Sequence, residues 1–343
     1  MFSAFRATSC SILLFALTFS LTTAFAQTAF AQTTIDDVHI TPHARTAEVA
    51  AGEFAANPAV RIAAGSLIRT SVDLVMVPVT ITDNLNRPVI GLDQNNFQVF
   101  ENRKPQGIKH FSTEDAPVSV GIIVDTSGSM AEKIDRAREA VMQFCEAANP
   151  QDEFFLITFA DTPRLATDFT THTENIENDL LTARAKGRTA LLDAIYMGLQ
   201  KMRQARYARK ALLILSDGGD NHSRYTEHDV RAAVKESDVM IYGVGTYDNY
   251  FTTQEERLGP ELLSSISDLT GGYTFTLTNV NDLPVVTRTI GAQLRHQYLL
   301  AYQPPAHLSD GKWHKINGKV RLPRKLQYLL HVDARSGYYA RAE

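Results

Sequence analysis

Val118-Ser119-Val120-Gly121-Ile122-Ile123-Val124-Asp125-Thr126-Ser127-Gly128-Ser129 is the stretch that decides the fold. Its first seven residues form a run with almost no polar face. A short run of this kind fits a strand covered on both sides at the centre of a parallel sheet. The run ends abruptly on one acid and two hydroxyl side chains, Asp125, Ser127 and Ser129. In an open α/β sheet, ligands bind beyond the carboxyl ends of the strands. The stretch therefore predicts both an architecture and the edge at which a ligand is met.

Downstream the pattern alternates. A helix is expected from about 132 to 148, stopped by Asn149-Pro150, and a strand over 154–159. Residues 175–185 and 190–204 read as helices, and 211–215 as a strand running into Ser216-Asp217-Gly218-Gly219. Thr226 with Asp229 three residues on is a capping box for another helix. Strands at 239–244 and 273–277 and helices at 261–269 and 282–295 complete the series. This βαβ alternation predicts an α/β fold with a doubly wound, mainly parallel sheet over residues 116–296.

Both flanks switch to strand spacing. Val75, Val77, Val79 and Ile81 alternate on one face, Asp83-Asn84-Leu85-Asn86-Arg87-Pro88 is a turn, and 96–101 and 107–112 read as further strands. After the α/β region, 297–302, 313–320 and 328–332 read the same way. Each flank alone has too few strands to close a sandwich. Residues 67–115 and 297–343 are therefore expected to pair into one smaller β-sandwich.

The chain has 343 residues, 44% of them hydrophobic and 21% charged, which suits a globular protein. A net charge of −4 offers no basic surplus for phosphates, so nucleic acid is not expected as a partner. Arg6, the apolar residues 11–23 and Ala24-Phe25-Ala26 fit a signal peptide over 1–26. Such a chain would be exported to the periplasm, the outer surface or the medium, with no membrane span left after cleavage. The Ala- and Thr-rich residues 27–66 read as a flexible lead-in. Of two cysteines, Cys10 would leave with the signal, and Cys145 falls on an apolar helical face with Ile134, Ala137, Val141, Phe144 and Ala148. Burial is the expected role of that thiol.

Hard divalent cations take oxygen ligands, six for Mg²⁺. Asp125, Ser127 and Ser129 supply three candidates from one loop. Thr189, in Gly187-Arg188-Thr189-Ala190 before a helix, and Asp217, at a strand end, supply two more. Each piece alone also fits a turn or a helix cap; the order of all three on strand ends points to a metal. His110, His172 and His222 have no assignable role as a base, no Gly-x-Ser-x-Gly elbow is present, and Asp220 and His222 read as solvated loop residues near the rim.

Asp-x-Ser-x-Ser after a buried strand, a Gly-x-Thr loop opening a helix and Ser-Asp-Gly ending a strand, in that order, resemble the von Willebrand factor type A family and its metal-ion-dependent adhesion site. The resemblance spans residues 116–296. Gly91-Leu92-Asp93, Asn96-Phe97-Gln98-Val99 and Ser336-Gly337-Tyr338-Tyr339-Ala340 also look like a bacterial exported subfamily. The resemblance implies that Ser127, Ser129 and Thr189 touch Mg²⁺ or Mn²⁺, that Asp125 and Asp217 neutralise it directly or through water, and that one position stays open. The expected partner is a protein or peptide offering an acidic side chain. The resemblance further implies that the last helix, 282–295, shifts when ligand binds. The rival reading is an envelope scaffold with a structural metal, and a hydrolase ranks third.

Overall fold

The computed structural model describes residues 74–217, 219–246, 254–305, 310–322 and 330–340. The expected signal peptide, the lead-in and the first residues of the N-terminal flank lie outside them. The flank contributes β1 (Val75–Asp83), β2 (Phe97–Glu101), β3 (Lys104–Gln106) and β4 (Ile108–Ser112). β3 had no sequence signal; Lys104-Pro105-Gln106 is too short and polar to alternate.

The α/β region follows as β5 (Val118–Asp125), α1 (Ile134–Ala147), β6 (Glu153–Phe159), β7 (Pro163–Thr170), α2 (Thr173–Thr182), α3 (Leu191–Met202), β8 (Arg209–Ser216), α4 (Glu227–Glu236), β9 (Val239–Thr246), α5 (Gln254–Ser267), β10 (Thr274–Leu277) and α6 (Leu283–Arg295). Its sheet runs β10-β9-β8-β5-β6-β7. All neighbours are parallel except β7, which pairs antiparallel with β6 at the edge. β7 escaped the sequence reading because Pro163-Arg164-Leu165-Ala166-Thr167-Asp168-Phe169-Thr170 mixes polar and apolar residues without regular alternation, as an edge strand can.

Alternation along β5 sorts the two cores. Val118, Val120, Ile122 and Val124 pack with α1, α2 and α6, while Ile123 packs with α3, α4 and α5. Helices thus cover both faces, as the α/β expectation requires. Gly121 makes room for its neighbours: a Cβ there would lie 2.2 Å from Phe155 Cζ and 2.5 Å from Leu212 Cδ2. Phe144, in the last turn of α1, is wholly buried, and Cys145 beside it is buried as expected, its thiol pushed up to about 12 by desolvation. α6 lies directly on α1. A Cβ on Gly291 would sit 3.1 Å from the Phe144 carbonyl, and Thr287 Oγ1 donates to the Ala140 carbonyl at 2.7 Å. The predicted capping box forms: Thr226 accepts from the Asp229 backbone, and the Asp229 carboxylate accepts from the Thr226 backbone at 3.0 Å.

β11 (Tyr298–Tyr302) begins three residues after α6, followed by β12 (Trp313–Val320), β13 (Leu330–Ala334) and β14 (Gly337–Tyr339). Two antiparallel sheets result, β13-β1-β11-β4 and β14-β12-β2-β3. Each draws strands from both flanks. Val77, Val79 and Ile81 of β1, Phe97 and Val99 of β2, Tyr298, Leu300 and Tyr302 of β11 and Ile316 of β12 share one apolar core between the sheets. Gly271, at φ +84 after α5, makes a close approach to this unit: a Cβ would lie 2.4 Å from Arg335 N. Ser336 donates to the Leu269 carbonyl from its backbone at 3.2 Å and its hydroxyl at 2.8 Å. No helix among the described residues is long and apolar enough to cross a membrane.

Candidate metal centre

The chain leaves β5 toward β6 on one side and returns to β8 on the other. β5 and β8 therefore flank the place where strand order reverses, the crevice that ligands favour in such sheets. Asp125 is the last residue of β5, and Asp217 directly follows β8. Their carboxylates are nearly sealed from water, with Asp125 at 0% and Asp217 at 3% exposure.

Three of the five predicted side chains form a chain of contacts. Ser127 Oγ and Ser129 Oγ are 3.1 Å apart, and Ser129 Oγ donates to Asp217 Oδ1 at 2.7 Å. Asp125 faces the same loop: its Oδ1 accepts from the Ser127 backbone at 2.8 Å, and its Oδ2 accepts from Ser216 Oγ at 2.6 Å. Thr189 is buried but, among the described residues, shares no hydrogen bond with the other four side chains. Its loop is nevertheless tied to theirs. Gly128 N donates to the Gly187 carbonyl at 3.0 Å, and Lys186 N to the Thr126 carbonyl at 2.8 Å. Thr189 is not the helix cap that its position suggested; Ala190 occupies that place.

The 187–190 loop is fixed from three sides. Gly187 has φ +98, and a Cβ there would meet Asp161 Oδ2 at 2.7 Å, so glycine is required on both counts. Asp161 Oδ1 accepts the Arg188 backbone N–H at 2.9 Å. Asn221 Oδ1 accepts the Thr189 backbone N–H at 2.9 Å, while the Thr189 carbonyl accepts from the Asn221 and His222 backbones. Asp220 is a scaffold residue here, accepting the Leu192 N–H at 3.1 Å. Asp193 likewise accepts the Arg224 and Tyr225 N–H groups at 2.8 and 3.0 Å.

Sequence reasoning missed Lys133. It sits where the chain enters α1, and its Nζ donates to Asp217 Oδ2 at 2.8 Å. The pair is largely withdrawn from solvent, with side chains 21% and 1% exposed. The available signal was its spacing, four residues beyond Ser129 at the start of the helix. Ser216 was also passed over, though it is the hydroxyl on Asp125.

The donor set is all oxygen, two carboxylates and three hydroxyls, which suits Mg²⁺ or Mn²⁺ rather than a softer metal. Among the described residues no group of three or more His, Cys, Asp or Glu side chains is placed to hold a metal, so any cation here depends on the hydroxyls. The charges leave room for one. Lys133 offsets one of two buried carboxylates, and Asp125 has no cationic side chain against it among the described residues. Desolvation pushes Asp125 up to about 6, against the pull of its Ser127 and Ser216 hydrogen bonds. A buried carboxylate in that position is stabilised by a cation.

Residues 120–219 match the von Willebrand factor type A domain, the family that the site motif resembles. The chain is 26% identical over 164 residues to inter alpha-trypsin inhibitor, heavy chain 4, of Mus musculus, covering 42% of this chain and 17% of that protein. It is 24% identical over 203 residues to a UPF0353 protein of Mycolicibacterium gilvum, covering 52% and 61%. The chain thus spans less than two thirds of the length of these relatives. Among solved structures it is similar to a von Willebrand factor type A protein from Catenulispora acidiphila, with a TM-score of 0.46 and 14% identity over 79% of this chain and 73% of that one. It is also similar to the PilB minor pilin of Streptococcus sanguinis, at 0.44 and 15% over 52% and 61%. Domains of this family generally mediate protein–protein interactions, often with a metal, and are generally not enzymes.

Proposed function

With residues 120–219 matching a von Willebrand factor type A domain, we propose that this chain is an exported, metal-dependent protein-binding module. Asp125, Ser127, Ser129, Thr189 and Asp217 would hold Mg²⁺ or Mn²⁺, and an acidic side chain of the partner would complete the site. One observation carries the reading. Two sealed carboxylates and a web of hydroxyls converge at the strand-order reversal, with the Lys133 ammonium on Asp217 and no cationic side chain on Asp125 among the described residues. When bound, the cation supplies a positive centre that a partner carboxylate can approach.

The chain's own residues do the rest. Asp125 is oriented by Ser127 N–H and Ser216 Oγ, which fix both its oxygens. Asp217 holds Ser129 in place through one oxygen and Lys133 through the other. The Gly128–Gly187 contact sets the two hydroxyl-bearing loops side by side. Two carboxylates against one dication leave neutral hydroxyls as the remaining donors, so the centre keeps affinity for an anion. Export is part of this proposal, and its support is the sequence of residues 1–26.

The test is titration calorimetry of the full chain with Mg²⁺ and Mn²⁺, beside Asp217→Ala, with circular dichroism to follow the fold. The proposal expects cation binding by the parent and its loss in a folded Asp217→Ala. A folded parent that takes up neither cation refutes it. A variant that unfolds, rescued by Asp217→Asn without restored cation binding, leaves the same prediction intact for measurement in the folded protein.

A further inference from the structure

Lys186, Arg188 and His222 are among the exposed side chains around the candidate centre, with Ser129, Glu132, Asp161 and Asn221. They flank its loops directly. Lys186 and Arg188 bracket Gly187, whose carbonyl meets Gly128, and His222 donates its backbone N–H to the Thr189 carbonyl at 3.1 Å. The side chains of Arg188 and His222 touch over that loop, NH1 to Nδ1, at 3.3 Å. A guanidinium only donates, so Nδ1 accepts in this contact, which leaves Nε2 to donate.

Some surface arginines answer an acid on their own segment, as Arg87 does with Asp83, Arg136 with Glu139 and Arg231 with Glu227. Among the described residues, the Lys186 ammonium and the Arg188 guanidinium have no such carboxylate. Asp161, close by, spends one oxygen on the Arg188 backbone rather than its side chain. The loop that carries both cations is rigidly set by Gly187 against Asp161. On a chain of net charge −4, a preset rim of donors and unmatched cations stands beside a site for a carboxylate.

We propose that this rim is a docking surface for an acidic segment of a partner protein, one that offers further carboxylates beside the one given to the metal. The inference rests on the metal reading above. The Arg188 fork suits a bidentate carboxylate, Lys186 adds a point charge, and His222 an N–H donor. Along an extended peptide, residues two apart lie on one side about 7 Å apart, so an alternating acidic pattern can meet metal and rim together.

The probes are two fluorescein-labelled glycine-rich peptides, one with a single Asp and one with four Asp at alternate positions, titrated by anisotropy with the full chain in Mg²⁺ and in EDTA. Screened surface pairs predict that the four-Asp peptide binds about tenfold tighter than the single-Asp peptide. Lys186→Ala with Arg188→Ala shrinks that advantage to less than about twofold. Both positions are exposed, so the variant keeps its cooperative unfolding and its Mg²⁺ affinity. Equal binding of the two peptides, or an advantage that survives the double substitution, overturns the rim while leaving Mg²⁺-dependent capture of the single-Asp peptide to support the metal reading. Failure of both peptides on Mg²⁺-loaded protein overturns both. Equal competition by a sulfated polysaccharide in Mg²⁺ and in EDTA marks a general polyanion surface and also overturns the proposal.

Discussion

Replacing Lys133 by Met exposes what the ammonium does for Asp217. In the metal-free protein the pair is 2.8 Å apart, with side chains 21% and 1% exposed. Removing one partner of a buried pair costs about 3–5 kcal/mol, because the other is left charged and unmatched. Partial exposure of Lys133 brings the loss below that range, to about 2–3 kcal/mol. For a domain of this size each kcal/mol lowers Tm by about 2–4 °C, so a fall of about 4–12 °C is expected in EDTA. Mg²⁺ then has more to gain in the variant. It neutralises the orphaned carboxylate and no longer shares it with an ammonium. The added cation should raise Tm more in Lys133→Met than in the parent, and calorimetry should give the tighter Mg²⁺ binding in the variant. Differential scanning calorimetry in EDTA and in saturating Mg²⁺ measures all four values. Equal Mg²⁺-induced shifts in parent and variant would refute the idea that lysine and metal act on the same carboxylate.

Two further predictions concern acid and packing. Burial holds Asp125 at about 6, above its ordinary 3.8, so the folded metal-free protein binds the extra proton between these values. That contribution is fully present below the ordinary value and is lost as pH rises through about 6. Thermal scans in EDTA should show this decline, and Asp125→Asn should flatten it, leaving the slope due to the other carboxylates that burial raises, Asp152, Asp268 and Asp333, the last pushed up to about 6. Apparent Mg²⁺ affinity should run the other way, falling as pH drops below about 6 because proton and metal compete; an affinity flat from pH 7 to 5 refutes this. At Gly271, Ala would need a left-handed backbone and would press on Arg335 N at 2.4 Å. A loss of about 2–4 kcal/mol in urea unfolding is expected, and a loss under about 0.5 kcal/mol would contradict the close approach.

The central fold was legible because β5 is apolar on both faces and because the helices that follow keep their stripe, as Ile134, Ala137, Val141 and Phe144 do in α1. Paired flanks were legible from the counting argument that neither could close alone. β7 and β14 were not. One is a polar edge strand and the other is three residues long, so neither has the alternation that burial imposes. In the candidate site, Asp125, Ser127, Ser129 and Asp217 could be read because their spacing is local to strand ends. Lys133 and Asn221 could not, since each acts across the fold, on Asp217 and on the Thr189 backbone. A sequence shows which loops carry oxygens, but not which distant side chain props them.

The two outer sheets have a consequence for the order of assembly. β1 pairs with β11, and more than two hundred residues separate Val77 from its partner Leu300. Closing so long a loop in an unfolded chain is entropically costly and slow. A folded insert changes the distance to be searched. Arg295 at the end of α6 meets Asp115 just before β5 at 2.8 Å, which brings the exit of the insert back to its entrance. Of the first four strands, β1 and β4 are the two that pair with β11, and they are expected to wait for it until the α/β insert has collapsed.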